Sequence, residues 1–224
     1  TITKLRMKTI ELFNELASDY WLADYISFGL TDAIRKKSIQ SLEIKEYETV
    51  CDAMCGTGNN FNLLAKKKCS TIAIDNAAEM VEIAHQQTQS NQYKIINENF
   101  LHTTIADHSI DKLICTFGLK SLNKNEYDLF IQQINRVLKP NGTFVLADIL
   151  INKKSLSGFI VLLYVRFVLP LVNRIYTGKN PHKYLYHFIK KPFNVEILYH
   201  SLQKMNIQYQ VVRNEIKQSI IIIG

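Results

Sequence analysis

Four positions in the first half of the chain have types and a spacing suited to ligand chemistry: Asp52-x-x-x-Gly56-x-Gly58, then Asp75 seventeen residues after Gly58. Glycines in such a turn let backbone approach a ligand closely, a following helix offers free amides at its N-terminus, and an acid closing the next strand can accept both hydroxyls of a ribose. The set reads as a nucleoside-cofactor site if strand, turn, helix and second strand occur in that order. What the turn lacks decides which nucleoside. A dinucleotide fingerprint wants a small residue three past the second glycine, where this chain has Phe61, and no Lys or Arg in the turn awaits a pyrophosphate. Asp52 would repel a pyrophosphate but suits an ammonium. The methionine end of S-adenosylmethionine carries one, which makes that compound the best-matched cofactor.

The elements needed to position these residues are legible. Apolar residues at spacings of three and four, including Leu5, Ile10, Phe13, Leu16, Tyr20 and Ile26, predict a helix over residues 4–26. Thr49 to Met54 predicts a strand, Gly56-Thr57-Gly58 a tight turn, and Phe61, Leu63, Leu64 and Ala65 a helix. Thr71 to Ile74 predicts a second strand closed by Asp75, and Asn76-x-x-Glu79 a capping box for a helix reaching about Thr88. The rhythm repeats through strands at Tyr93 to Ile96 and Asp111 to Phe117, a helix from Tyr127 to Leu138, the Lys139-Pro140-Asn141-Gly142 turn and a strand from Thr143 to Asp148. Such alternation means an α/β fold with a parallel sheet and crossover helices. After Asp148 it breaks for about forty residues, as a lid insertion would, and resumes with a helix from Asn194 to Lys204 and strands near Gln208 to Val212 and Ser219 to Ile223.

Two segments narrow the reading further. Thr116-Phe117-Gly118-Leu119-Lys120-Ser121 and Arg136-Val137-Leu138-Lys139-Pro140-Asn141-Gly142 resemble the Phe-Gly-Leu-Arg-Asn loop and the Arg-Val-Leu-Lys-Pro-Gly-Gly turn of the ubiquinone/menaquinone C-methyltransferases, class I S-adenosylmethionine-dependent enzymes. Leu12-Phe13-Asn14 to Tyr20, then Ile26-Ser27-Phe28-Gly29, is similar to that family's N-terminal segment. Leu169-Pro170, Gly178, Tyr184-Leu185 and Ile189-Lys190 are similar to its lid. The resemblance covers nearly the whole chain. It implies a Rossmann-like, doubly wound, seven-stranded, mostly parallel sheet with an N-terminal helical segment and a lid insertion before the last helix. It also implies S-adenosylmethionine as donor and an isoprenoid benzoquinol or naphthoquinol as acceptor. One domain results: a helical cap at 1–46, a cofactor-binding core at 47–148, a lid at 149–193, and a C-terminal helix with antiparallel strands at 194–224.

Carried over residue by residue, the resemblance assigns Tyr20, Asp52, Gly56, Thr57, Gly58, Asp75 and Asn76 to the cofactor, with Met80 against adenine and Phe117 heading its loop. Asn99 and Phe100 stand where the family has an Asp-Ala pair, and the Asn99 carbonyl can take the adenine amino group. The family's Arg-Asn is Lys120-Ser121 here, and its lid Ser-Ile is Phe188-Ile189. Carbon methylation of a quinol needs a methyl aligned with a ring carbon and a proton removed from the phenol or that carbon. Lys120, desolvated at the pocket mouth, would have a depressed pKa and orient a phenolate or act as base; as a surface lysine it would do neither. Ser121 beside it, and Tyr184 with His187 in the lid, complete the acceptor side. Asp148, at the carboxyl edge of its strand, reads as a loop cap rather than a base.

With 224 residues, 47% hydrophobic and 21% charged, the chain can bury a proper core, and disordered or fibrous classes are excluded. Cys51, Cys55, Cys69 and Cys115 form no CxxC pair and read as reduced thiols, and no His/Cys/Asp cluster has metal-ligand spacing. The N-terminal residues hold no apolar signal stretch, so a cytoplasmic protein is expected. Residues 1–150 carry 16 Lys/Arg against 18 Asp/Glu, net −2, whereas residues 151–224 carry 11 against 2, net +9. The basic residues interleave with aliphatics, which argues against nucleic acid. Phe159 to Val172 is too short to span a bilayer. With Lys153, Lys154, Arg174, Lys179, Lys183, Lys190 and Lys191 it suits peripheral contact with an anionic membrane; a buried lid helix is the other reading. Two rival functions stay open: a paralogue performing O- or N-methylation, or an amination using the same donor, and a non-catalytic lipid-surface module that kept the fold.

Overall fold

Strand β1 (Thr49–Ala53) is buried at every position but its first, the pattern of a parallel strand covered on both faces. In the computed structural model it lies centrally in a seven-stranded sheet with β2 (Ser70–Asp75), β3 (Tyr93–Asn97), β4 (Ile110–Thr116), β5 (Leu138–Ile149), β6 (Gln210–Asn214) and β7 (Ser219–Ile223), ordered β3-β2-β1-β4-β5-β7-β6. The structure describes residues 10–15, 17–19, 27, 29–88, 90–168, 170–171, 174, 194–214 and 218–224. The first five strands pair in parallel, and β7 is antiparallel to both β5 and β6. The chain order reverses direction between β1 and β4, the switch point where open α/β sheets bind ligands outside their carboxyl ends.

Alternating side chains divide the core. Leu113, Cys115 and Leu146 pack on one face with Tyr127, Phe130, Ile131 and Ile134 of α4 (Glu126–Val137) and Leu198 and Leu202 of α6 (Val195–Lys204). Ile114, Val145 and Ala147 pack on the other with Ile34 and Ile39 of α1 (Leu30–Ser41). The helix after the glycine turn, α2 (Phe61–Ala65), is only five residues long, and α3 (Ala78–Gln87) follows β2.

The basic residues of the Arg136 to Gly142 segment are structural ties. Arg136 donates to the carbonyls of Ile105 (2.7 Å) and Thr103 (2.9 Å) and pairs with Asp107, while Lys139 pairs with Asp111 at 2.8 Å. Asp111 also accepts the Thr49 N–H, so this pair couples β5 to β1 and β4. Residues 139–142 loop out of β5 as a register shift rather than preceding it, because Leu138 already pairs with Ile110.

Two further expectations need correction. The Asn76-x-x-Glu79 capping box does not form: Asp75 Oδ1 accepts the Ala77 N–H at 2.9 Å, and the Glu79 N–H goes to Asn14 Oδ1 at 3.2 Å. Acceptors brought from the strand end and from the N-terminal segment take the amides the box would have served. β6 begins two residues later than predicted, since all five of its residues are exposed and only pairing to β7 sets its place.

After β5, Ser155 caps α5 (Leu156–Leu163) by accepting the Gly158 N–H at 3.1 Å, and a π-helical turn at Tyr164–Val168 continues it. The Gln218 side chain ties this start to β7, accepting the Asn152 N–H and donating to Ser155 and Ser157. Residues 10–15 are helical and Ala17–Asp19 form a 3-10 turn. The rest of the expected 4–26 helix, and lid residues 175–193, lie outside the described residues.

Candidate functional site

The carboxyl ends of β1 to β4 open onto one cavity with an empty volume of about 950 Å³, its mouth included. Gly56 and Gly58 both have positive φ (55° and 85°), and a Cβ on Gly58 would meet the Phe61 ring at 2.6 Å. Only glycine fits there. The turn spends most of its own amides. Gly56 N–H goes to Asp75 Oδ2 at 2.8 Å, Gly58 N–H to the Cys55 carbonyl, and Phe61 N–H to the Gly58 carbonyl, so the short α2 does not present the free N-terminus expected of it. Asp75 holds both carboxylate oxygens on backbone amides, and burial outweighs those bonds in pushing its pKa up. A carboxylate has about four acceptor positions, more than the backbone amides of Gly56, Asn76 and Ala77 occupy, so acceptor capacity remains for a ribose hydroxyl. Gly56, Asp75 and Asn76 line the cavity; Thr57 and Gly58 do not, and Thr57 bonds Asn59 instead.

On the β3 side the wall holds Met80, Asn99 and Phe100. Met80 is buried against Ala17 and Ala77 with Ile10 and Phe13 beside them, so the N-terminal segment closes this end. The Asn99 carbonyl oxygen accepts the Leu101 N–H at 3.1 Å and caps the Phe100–His102 turn, leaving its second lone pair for an adenine amino group. Glu98, also in the wall, is tied to Thr103 and Thr104.

Asp52 is placed differently from expectation. It is fully buried and does not line the cavity. Asn60 stands between, donating its Nδ2 to both Asp52 oxygens (3.0 and 3.2 Å) and to Thr116 Oγ1 (3.1 Å). Burial raises the Asp52 pKa to about 7, against the opposing effects of the Asn60 bond and the Arg35 charge. Arg35 of α1, a buried cavity-lining residue, lies with its guanidinium 5.0 Å from the centroid of the Phe117 ring. Phe117 and Met54 are non-glycine residues at positive φ (64° and 58°) at the ends of adjacent strands, and both line the cavity. Left-handed backbone at such residues costs on the order of 1–3 kcal/mol each, and it concentrates at ligand sites. Arg35, Asn60, Thr116 and Met54 escaped the sequence reading. The available signal was Asn60 two residues past Gly58; nothing local marked Arg35.

On the acceptor side Ser121 lines the cavity and donates to the Gly118 carbonyl at 2.5 Å. Lys120 is buried (5% exposed) and lies behind that wall rather than at the mouth. Its pKa is lowered by burial, with Asp148 opposing the shift; the buried Asp148 is raised by burial and accepts the Lys120 N–H at 3.3 Å and the Ile149 N–H at 2.7 Å. Asp148 thus caps the Leu119–Ser121 turn. Tyr20, Tyr184 and His187 lie outside the described residues. The four cysteines are all buried free thiols.

The wall at β2 and β3, with the polar side chains of Asn60, Thr116 and Arg35 also lining the cavity, fits an elongated nucleoside carrying an amino-acid tail. The buried Asn60 Oδ1 has no hydrogen-bond partner among the described residues. Residues 50–142 match the model of a methyltransferase domain. The chain is 28% identical over 187 residues to the demethylmenaquinone methyltransferase of Desulfitobacterium hafniense strain Y51, covering 79% of this chain and 72% of that protein. It is 27% identical over 187 residues to the protein of the same name from Thermotoga maritima, covering 82% and 80%. Its fold resembles that of a SAM-dependent methyltransferase from Aquifex aeolicus, with TM-score 0.60, 18% identity, and 84% and 87% of the two chains covered.

Proposed function

We propose that this chain, a class I S-adenosylmethionine-dependent methyltransferase, methylates a ring carbon of an isoprenoid quinol, a naphthoquinol or benzoquinol, at a membrane surface. The observation that carries the reading is the shared cavity: the residues suited to a nucleoside line it together with Phe117, Gly118 and Ser121. The quinol follows from that loop's resemblance and from relatives named for demethylmenaquinone.

When bound, the donor supplies an electrophilic methyl on its sulfonium sulfur. The protein's share of the work is binding, alignment and exclusion of water. Asp75 holds the ribose while Met80, Asn99 and Phe100 receive the base. Met54, Phe117, Leu101 and Leu122 give the rest of the cavity an apolar wall that suits an aromatic ring. Asp148 caps the turn that presents Ser121, with the buried Lys120 charge acting on it, so we assign Lys120 a positioning role and Ser121 the contact with the acceptor hydroxyl. Tyr184 and His187 stay assigned to the acceptor by the resemblance alone.

Membrane contact rests on α5 and the turn after it. Phe159 (54% exposed), Ile160, Leu163, Phe167 and Leu171 face solvent, and Lys153, Lys154, Arg166 and Arg174 are exposed nearby. No helix among the described residues is long and apolar enough to cross a membrane. A peripheral position would let a polyprenyl tail stay in the lipid while its ring enters the cavity.

The reading is tested by incubating the protein with S-adenosylmethionine and a panel of demethylated naphthoquinols and benzoquinols, reading product masses. A one-methyl gain with S-adenosylhomocysteine formed is expected. Donor binding without methyl gain on any quinol would refute the acceptor class, and would favour the O-, N- or amino-transfer rival that Lys120-Ser121 in place of Arg-Asn keeps in view.

A further inference from the structure

Sequence reasoning gave the ammonium of the donor to Asp52. The structure assigns the donor's zwitterionic amino-acid end to a different pair, with Asn60 Oδ1 taking the ammonium and Arg35 the carboxylate. This rests on the donor reading above and deepens it by naming residues that no motif identified.

Asp52 itself cannot touch a ligand in the cavity, being fully buried behind Asn60. The Asn60 amide is oriented by what its nitrogen meets: two oxygens of Asp52 and the hydroxyl of Thr116. Its oxygen is left as a buried acceptor, in a residue only 2% exposed, that has no partner among the described residues and belongs to the cavity wall. Leaving such an oxygen unpaired carries its full desolvation penalty. An ammonium, with three donors and no acceptor, matches it.

The carboxylate needs a cation. Of the described charged residues lining the cavity, Asp75, Glu98 and Glu126 are acids and Arg35, which also pairs with the exposed Asp32 at 3.3 Å, is basic. A guanidinium is the side chain whose planar fork fits a carboxylate. The places agree as well. Arg35 lies over Phe117, and Asn60 bonds Thr116, the residue before it, so both belong to the β1 and β4 end of the wall. Asp75 closes β2, and Asn99 follows β3. Base at β3, sugar at β2 and charged tail at β1 and β4 follow the strand order β3-β2-β1-β4, three strand spacings or about 14 Å.

Calorimetric titrations test the assignment without turnover. The probes are S-adenosylhomocysteine, which carries the whole amino-acid end, decarboxylated S-adenosylmethionine, which lacks the carboxylate, and 5′-methylthioadenosine, which lacks the whole end. The unaltered protein is expected to bind the first roughly 10- to 100-fold more tightly than the third. Arg35→Gln and Asn60→Leu should each lose roughly 10- to 100-fold for S-adenosylhomocysteine and leave 5′-methylthioadenosine unchanged, which also shows that the variants fold. Arg35→Gln should leave decarboxylated S-adenosylmethionine unchanged, while Asn60→Leu weakens it. If the unaltered protein binds 5′-methylthioadenosine as tightly as S-adenosylhomocysteine, the assignment falls while the donor reading stands, a comparison that needs no variant. Failure to bind any of the three would overturn the donor reading itself.

Discussion

Asp52 is a carboxylate the fold holds in its least favourable form, and that has a measurable consequence. Burial raises its pKa from 3.8 to about 7. Between those values the folded protein keeps a proton that the unfolded chain has released, so this residue's contribution to stability falls as pH rises through that window and is fully lost above it. The slope is at most about 1.4 kcal/mol per pH unit. Asp52→Asn removes it, so the variant's melting temperature should gain on the parent between about pH 4 and about pH 7; a difference that stays flat would contradict the buried-acid account. Lys120 and Asp148 make a second residue-scale case. Lys120→Met removes the charge that opposes the burial penalty on the Asp148 carboxylate and should destabilise the fold in denaturant titrations, whereas adding Asp148→Asn leaves no uncompensated charge and should recover much of the loss. With the turn misplaced, both variants should bind S-adenosylhomocysteine normally and turn over on the order of 10- to 100-fold more slowly. Lost donor affinity in both would contradict a positioning role. Asp75 lines the cavity where an acid closing a strand after a glycine turn is expected. Sequence reading misplaced Asp52, since no local pattern shows that Asn60 will stand in front of it.

Elements were legible where burial imprinted a pattern and illegible where tertiary partners took over. β1 and β4 show their buried runs in composition, and the structure moves their ends by a residue or so. β6 has no buried face to announce it, and the capping box of α3 lost to Asp75 and Asn14 because side chains from elsewhere reached the same amides. The apolar character of α5 was plain, but its anchoring was not. Gln218, sixty residues on, pins its first turn, and Gly158 is required because a Cβ would lie 2.1 Å from the Asn152 carbonyl oxygen. An anchored helix that shows Phe159 and Phe167 to solvent is expected to carry vesicle binding. Flotation with phosphatidylglycerol-containing vesicles should show binding that weakens with added salt. Phe159→Glu with Phe167→Glu should abolish that binding while leaving turnover of a short-tailed, water-soluble quinol intact. Undiminished binding by the double variant would contradict the assigned surface.

At the scale of the molecule, the charge division separates the nucleoside wall from the segment proposed to meet a membrane. The near-neutral first 150 residues build β1 to β5 and the nucleoside wall, and the last 74 hold the net +9 and the exposed apolar helix. The sheet order follows from the strand–helix rhythm together with the chirality of parallel crossovers. The wall at β4 does not follow, because Arg35 reaches Phe117 across eighty-two residues of chain that only the fold closes. The proposed reaction that unites donor and acceptor sides is methyl transfer to a ring carbon, and one product spectrum tests it most directly. With S-adenosylmethionine labelled by carbon-13 on its methyl and a demethylated naphthoquinol as acceptor, the labelled methyl of the product should resonate as an aryl carbon substituent. A methoxy or N-methyl resonance, or no transferred label from a protein that binds the donor, would contradict it.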